Sequence, residues 1–131
     1  MILVDTSVLI DFFKGESNPP VIKFRKVLTQ RIPFGITSFI YQEVLQGAKS
    51  EQVYSLLRKY LETQNFIQPL HPVETYERAA KIHFTCGKKG ITIRSTIDCL
   101  VAQVAIEHQL LLLHNESDYA RIAQVIKLNF Y

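Results

Sequence analysis

The sequence of 131 residues is long enough for one domain with a hydrophobic core and too short for two comfortable ones. Hydrophobic residues make up 47% and charged residues 21%, values typical of a globular protein, and no apolar run approaches the roughly 18 residues of a transmembrane helix. The formal net charge of +3 is compatible with a nucleic-acid partner without requiring one. An acidic residue at position 5 argues against a secretory signal, and the two cysteines are typical of buried thiols. We expect a single domain over residues 1–131, located in the cytoplasm.

The chain begins with a short apolar strand that is followed directly by polar side chains. Residues 2–4 are predicted to form a strand buried on both faces, and Asp5, Thr6 and Ser7 come next. Thr6 or Ser7 suits the N-cap of a short helix over residues 8–13. Asp5 would then lie at the carboxyl end of a strand, where open α/β sheets bind their ligands, although it could also serve only to initiate the helix.

The remaining segments alternate short apolar strands with helices. The predicted helices cover 20–31, 38–47, 50–61, 72–87 and 96–108, with a last short one from 118. The predicted strands cover 33–36, 66–70, 110–113 and 126–131. This alternation favours an α/β fold with a central parallel sheet of about five short strands and helices on both faces.

Two of these helices show an apolar stripe at helical spacing. In the helix over 50–61 the stripe comprises Val53, Leu56, Leu57, Tyr60 and Leu61. In the helix over 72–87 it comprises Val73, Tyr76, Ala80, His83 and Phe84. Each stripe is expected either to face the core or to form an interface.

Two carboxylates interrupt the apolar faces of other helices. Glu43 shares a helix face with Ile40 and Val44, where an unpaired charge is costly unless the side chain reaches water or faces a polar site. Asp98 lies three residues after Ser95, a spacing that also fits a capping box. Both are therefore candidate site residues with a structural alternative.

The last candidate acid follows the predicted strand at 110–113. Asp118 and Glu116 both lie near the carboxyl end of that strand, and we prefer Asp118. The alternative is that Asn115 and Asp118 form a capping pair for the last helix.

Four segments, in this order, resemble the PIN domain and, more narrowly, the VapC-type toxins of prokaryotic toxin–antitoxin pairs. They are Val4-Asp5-Thr6-Ser7, Ile36-Thr37-Ser38 with Glu43 and Gly47, Asp98 with Ala102 and Ala105, and His114-Asn115-Glu116-Ser117-Asp118-Tyr119. The resemblance covers nearly the whole chain. It implies a PIN-like three-layer fold and Mg²⁺- or Mn²⁺-dependent cleavage of single-stranded or looped RNA. It also implies a VapB-like antitoxin as partner and a homodimer.

The same resemblance assigns the site residues. The family's acids correspond to Asp5, Glu43, Asp98 and Asp118. We expect Asp5 and Asp98 to be the principal metal ligands, and Glu43 and Asp118 to act through water or to hold a second ion. Thr6, Ser7 and Asn115 would support the acids or contact the substrate. Many relatives carry Asp where this chain has Asn115, which leaves open whether one or two ions bind.

The donor set itself favours a hard cation. Carboxylates without a His or Cys cluster suit Mg²⁺ or Mn²⁺ and do not suit Zn²⁺. Acids brought close together repel one another, and a divalent ion relieves that repulsion. A haloacid-dehalogenase-like phosphatase would require Asp-x-Asp after the first strand, whereas Asp5 is followed here by Thr6-Ser7. A receiver domain would require an acidic pair before its phospho-acceptor and a Lys at a strand end, and neither is evident. A catalytically inactive PIN-like module that binds RNA or protein is the remaining alternative.

Overall fold

A parallel sheet of four strands organises the fold. The computed structural model describes residues 1–131. The strands are β1 (Ile2–Val4), β2 (Phe34–Ile36), β3 (Asn65–Phe66) and β4 (Leu111–Leu113). Their spatial order is β3-β2-β1-β4, and every pair is parallel. β1 is therefore central and buried along its whole length, with Leu3 opposite Gly35 on one side and Leu112 on the other.

Seven helices flank the sheet and confirm the predicted α/β class. They are α1 (Thr6–Phe13), α2 (Pro19–Thr29), α3 (Ser38–Gln46), α4 (Glu51–Leu61), α5 (Glu74–Lys88), α6 (Thr96–Glu107) and α7 (Ser117–Ile122). α6 is buried on all sides, since every residue from Asp98 to Ala105 is buried, as expected of a helix that is apolar all round. No helix combines the length and the apolar character that a membrane crossing requires.

Short polar side chains start several of these helices. Asn18 and Thr37 cap α2 and α3 by accepting a backbone N–H three residues on. The prediction that Thr6 or Ser7 caps the first helix is wrong, because Asp5 itself occupies that position and accepts the N–H of Ser7. Asp5 is thus held by the helix it starts, a feature that matters for the site.

The predicted fifth strand over 126–131 is reduced to a single bridge. Phe130 pairs with Leu112 of β4, and no further ladder forms. The backbone comes alongside β4 only at residues 129–131. The preceding Leu128 is instead packed into the core. The sheet therefore has four strands where about five were expected.

The apolar stripe predicted for α5 faces solvent. Tyr76 and Phe84 are each more than half exposed. The helix instead buries an equally periodic set of smaller side chains, namely Thr75, Ala79, Ile82 and Cys86. The small side chains among them let α5 approach α6 closely, which leaves the larger Tyr76 and Phe84 on the exposed side.

The stripe of α4 is only partly buried. Leu57 and Leu61 join the core, whereas Val53, Leu56 and Tyr60 are exposed. Both helices therefore leave apolar surface uncovered on the monomer.

Candidate active site

A polar cleft of about 320 Å³ opens where β1 and β4 end. Ile10 is its one hydrophobic lining residue. Five carboxylates line it: Asp5, Glu43, Asp98, Glu116 and Asp118. The structure thus brings together all four predicted acids, drawn from the β1–α1 junction, α3, α6 and α7, and adds Glu116.

Asp5 is held by three hydrogen bonds. Its Oδ2 accepts the Ser7 N–H at 3.0 Å and the Ser7 hydroxyl at 2.6 Å. Its Oδ1 accepts the hydroxyl of Tyr119 at 2.6 Å. Because an ionised carboxylate offers about four acceptor positions, Asp5 keeps one on Oδ1 for another ligand. The side chain is 4% exposed, so its orientation is fixed from both sides.

Tyr119 is a site residue that the sequence analysis missed. The side chain is completely buried, and its hydroxyl donates to Asp5. Burial, followed by the neighbouring carboxylates, raises the pKa of this phenol well above its ordinary value. Tyr119 therefore stays a hydrogen-bond donor. The available signal was its position directly after Asp118, where a buried phenolic hydroxyl requires a partner.

Glu43 lies on the opposite wall and is oriented by Thr6. The Thr6 hydroxyl donates to Glu43 Oε1 at 2.7 Å, which joins α1 to α3. Burial raises the pKa of Glu43, Asp5 adds to the increase, and the hydrogen bond from Thr6 opposes it. Glu43 is consequently a better proton acceptor than an ordinary glutamate.

Asp98 is the acid with the most strongly shifted pKa. It lies in the first turn of α6 and is 8% exposed. Burial, together with repulsion from Asp5, Asp118 and Glu116, raises its pKa to about 7. The proximity of the Tyr119 hydroxyl opposes this shift, but that hydroxyl donates to Asp5, and no donor of the chain forms a hydrogen bond with the Asp98 carboxylate. Its oxygens are therefore largely available to a cation.

Asp118 is bound as firmly as Asp5. Its Oδ2 accepts the backbone N–H groups of Arg94 at 2.9 Å and Ser95 at 3.3 Å. Its Oδ1 accepts Nη1 of Arg121 at 2.8 Å, and the carboxylate is 1% exposed. The predicted capping box at Ser95 does not form, because the Ser95 side chain makes no cap hydrogen bond. Asp118 instead ties α7 to the start of α6.

Glu116 completes the acidic group on this side of the cleft. One carboxylate oxygen from each of Asp98, Glu116 and Asp118 lies within 4.8 Å of the others. Glu116 has only a long contact of 3.4 Å from the Ser117 hydroxyl. Glu116 thus accepts fewer and weaker hydrogen bonds from the protein than Asp118 does, and its oxygens are freer to bind a cation.

Asn115 supports the site through its backbone. Its N–H donates to the Ser7 hydroxyl oxygen at 2.9 Å, which in turn holds Asp5. Its side-chain amide donates to Asp11 at 3.0 Å, and Asp11 also accepts Asn18 at 2.9 Å. This network joins the β4–α7 loop to the α1–α2 loop. The Asn115 amide therefore points to the rim and away from the acids.

The lining residues fit a hard divalent cation. The cleft offers carboxylate and hydroxyl oxygens, and neither a His nor a Cys lines it. Such donors suit Mg²⁺ or Mn²⁺. Burial, and after it repulsion from neighbouring acids, raises the pKa values of Asp98 and Glu43, and a bound cation would favour the ionised form of both.

Sequence comparisons identify a protein family and individual proteins that this chain resembles. The sequence profile of the PIN domain family matches residues 2–125. Relatives include the VapC ribonuclease Mb1587 of Mycobacterium bovis and the ribonuclease VapC11 of Mycobacterium tuberculosis. Each is 26% identical over 129 residues, covering 98% of this chain and 96% of the relative.

Solved structures with the same fold include one described as a toxin–antitoxin complex. VapBC2 from Rickettsia felis, bound to a DNA fragment from its promoter, superimposes with a TM-score of 0.74 at 17% identity, covering 100% of this chain and 98% of the other. FitAcB from Neisseria gonorrhoeae gives 0.73 at 19% identity, with coverages of 100% and 97%. A toxin–antitoxin complex from Klebsiella pneumoniae gives 0.70 at 23% identity and covers both chains completely. At these identities the likeness establishes the fold.

Proposed function

The chain belongs to the PIN domain family, and we propose that it is a metal-dependent endoribonuclease of the VapC type, the toxin of a toxin–antitoxin pair. The observation that carries this proposal is the convergence of five carboxylates on one cleft at the carboxyl end of a parallel sheet. The names of the relatives, which are ribonucleases matched over nearly their full length, support the activity.

Asp98 and Asp5 are the residues that would hold the cation first. Asp98 has the freest oxygens, and Asp5 keeps one acceptor position on Oδ1. Glu116 extends the donor set on the same side. A divalent ion such as Mg²⁺ or Mn²⁺ supplies positive charge that neutralises the phosphodiester and makes an attacking water more acidic.

The chain's own residues orient the acids and accept the proton. Ser7 and Tyr119 fix the Asp5 carboxylate. Thr6 aims Glu43 from the opposite wall, and the raised pKa of Glu43 suits it to accept the proton of the attacking water. Attack on phosphorus breaks the bond to the 3′ oxygen, which leaves with a proton. The products carry a 5′-phosphate and a 3′-hydroxyl.

A small antitoxin and a second copy of the chain are the proposed protein partners. An apolar recess of about 440 Å³ between α1, α2 and α4, lined by residues such as Phe12, Phe24 and Tyr60, suits an apolar antitoxin segment. A basic side chain of the same partner would satisfy the acidic cleft. The exposed Tyr76 and Phe84 on α5 supply apolar surface for a homodimer.

The first experiment is cleavage of a structured RNA pool by the purified protein in Mg²⁺, Mn²⁺ or EDTA. We expect metal-dependent cleavage that falls by about 100-fold or more in Asp5→Asn and in Asp98→Asn. Asp98→Asn should melt at or above the wild-type temperature, because it removes a repelling charge. Asp5→Asn should still fold but melt at a lower temperature, because an amide replaces a carboxylate that accepts three hydrogen bonds. Glu62→Gln, an exposed acid on the end of α4 that pairs with Arg58, is the matched control and should cleave normally.

Calorimetric measurement of metal binding distinguishes the possible reasons for an absence of cleavage. Loss of folding in Asp5→Asn would show that Asp5 is a structural acid. Binding of Mg²⁺ without cleavage of the pool would point to a narrow RNA specificity. Absence of both cleavage and metal binding would overturn the proposal in favour of an inactive binding module.

A further inference from the structure

A second polar cleft, of about 420 Å³, opens beside the acidic one. Its lining residues are Gly90, Ile91, Thr92, Arg94, Arg121 and Gln124, of which only Ile91 is hydrophobic. Arg94 lines both clefts, so the two share a wall. The acidic cleft therefore continues directly into a basic one.

The polar side chains of this basic cleft are available to a ligand. The side chain of Arg94 is exposed and makes no hydrogen bond or ion pair within the chain. Arg121 is 36% exposed and uses only Nη1, which donates to Asp118 at 2.8 Å and to the Ser117 hydroxyl at 3.2 Å. Its Nε and Nη2 groups remain free, so a planar guanidinium edge is presented to the cleft.

Asp118 fixes the position of the basic cleft relative to the acids. Its carboxylate holds both the backbone N–H of Arg94 and the guanidinium of Arg121. The same carboxylate lies within 4.8 Å of ligand oxygens of Asp98 and Glu116. Two cationic side chains therefore lie at a fixed place directly beside the candidate metal ligands.

We propose that the basic cleft binds a backbone phosphate of the RNA adjacent to the phosphate that is cleaved. This inference rests on the proposed ribonuclease function. A polyanion that approaches five carboxylates is repelled, and the guanidinium groups next to them offset that repulsion. The planar fork of arginine matches a phosphate group. Continuity with the acidic cleft favours RNA over an acidic protein segment, because one phosphate chain can occupy both clefts.

The contact positions the strand and does not read its sequence. Backbone phosphates are the same in every RNA sequence, so loss of the contact should lower the affinity for all RNA sequences equally. It should also reduce the salt dependence of binding, which for single strands scales with about 0.7 per neutralised phosphate.

The test is binding of a fluorescein-labelled single-stranded RNA of mixed sequence, followed by anisotropy in EDTA over a series of salt concentrations. We expect Arg94→Gln to weaken binding by about fivefold and to lower the salt slope by about 0.7. Arg121→Lys keeps the charge on Asp118 but loses the fork, and should weaken binding in the same direction. Arg78→Gln, the same chemical change on the exposed face of α5, should bind like wild type.

The outcomes distinguish this inference from the proposed function. If the wild type cleaves RNA and Arg94→Gln retains wild-type affinity and slope, the phosphate subsite is overturned alone. If Arg94→Gln loses affinity although the wild type neither cleaves RNA nor binds Mg²⁺, the basic cleft still binds an RNA phosphate and the nuclease proposal fails. Tighter binding of poly-glutamate than of RNA, lost in Arg94→Gln, would assign the cleft to an acidic protein and overturn the inference. Absence of any RNA binding by the wild type would overturn this inference, whereas the nuclease proposal is decided by cleavage and metal binding.

Discussion

The acids of the cleft differ in how many hydrogen bonds they accept from the rest of the chain. Asp5 and Asp118 each use three of about four acceptor positions on donors of the chain. Asp98 and Glu116 use few. Asp118 in particular has the burial and the partners of a structural residue, because it joins α7 to the start of α6. Proximity alone therefore does not decide which carboxylates are free to bind a cation.

The contrast between Asp118 and Glu116 can be measured with two isosteric variants. Asp118→Asn should lower the free energy of unfolding by about 1–3 kcal/mol, because it removes the charge that Arg121 and two N–H groups bind. Glu116→Gln should change that free energy by less than about 0.5 kcal/mol and should weaken Mg²⁺ binding. Urea denaturation and calorimetry give the two quantities.

The opposite pattern would restore the role that the sequence analysis preferred. An Asp118→Asn protein of wild-type stability that no longer binds Mg²⁺ would make Asp118 the ligand. In that case Glu116→Gln should bind the ion normally.

The sequence identified the acids of the cleft more readily than their partners. Asp5 and Glu43 stand out because each places a charge against an apolar pattern, at a strand end or on a helix face. Tyr119 stands out less, since an aromatic residue in a short helix is usually interpreted as a core residue. The pairing of Arg121 with Asp118 is a local contact three residues apart on α7. The approach of Asp118 to the backbone at the start of α6 depends on the tertiary fold and has no local signal.

At the scale of elements, the local sequence pattern predicted whether a segment is a helix or a strand better than it predicted which face of the element is buried. β1 and β4 are runs of apolar residues, and both were located correctly. For the α5 stripe the sequence left the core and an interface open, and the structure excludes the core: Tyr76 and Phe84 are exposed, whereas Ala79 and Cys86 are buried. β3 has only two residues and depends on its neighbour β2, which makes Gly35 a critical position.

Replacement of Gly35 by alanine tests that dependence. The added Cβ would lie 2.7 Å from Ile67 Cδ1 and 2.8 Å from the backbone oxygen of Asn65. A backbone oxygen cannot rotate away, so β3 must move, and we expect Gly35→Ala to lower the free energy of unfolding by about 1–3 kcal/mol. Gly87→Ala on α5 meets no atom within 4 Å and should raise it by up to about 1 kcal/mol. Urea denaturation of both variants measures the two free energies of unfolding. Equal stability of Gly35→Ala and wild type would show that β3 can shift without a loss of stability.

At the scale of the whole molecule, the candidate site lies on the core itself. α6, buried from Asp98 to Ala105, begins with the acid whose pKa is most strongly raised. β1, also fully buried, ends at Asp5. The charge state of the cleft is therefore coupled to the stability of the fold, and a cation that relieves the repulsion should stabilise the entire chain.

This coupling predicts that the metal-free protein loses stability as the pH rises. The pKa of Asp98 is about 7 in the folded protein, against an ordinary value of 3.8. Between those values the folded state holds a proton that the unfolded state has released, so the free energy of unfolding falls with rising pH and levels off above about pH 7. Glu43, whose pKa is also raised, contributes with the same sign.

Urea denaturation in EDTA at pH 5 and pH 8 measures the effect against a matched variant. Relative to Asp98→Asn, which cannot ionise at this position, the wild type should lose on the order of 2 kcal/mol between the two pH values. Addition of Mg²⁺ at pH 8 should restore most of that loss in the wild type and little in Asp98→Asn, because the variant lacks both the repelling charge and the freest ligand. Parallel pH profiles for the two proteins would mean that Asp98 titrates as an ordinary carboxylate, and the cleft would then lack the electrostatic strain that favours a cation.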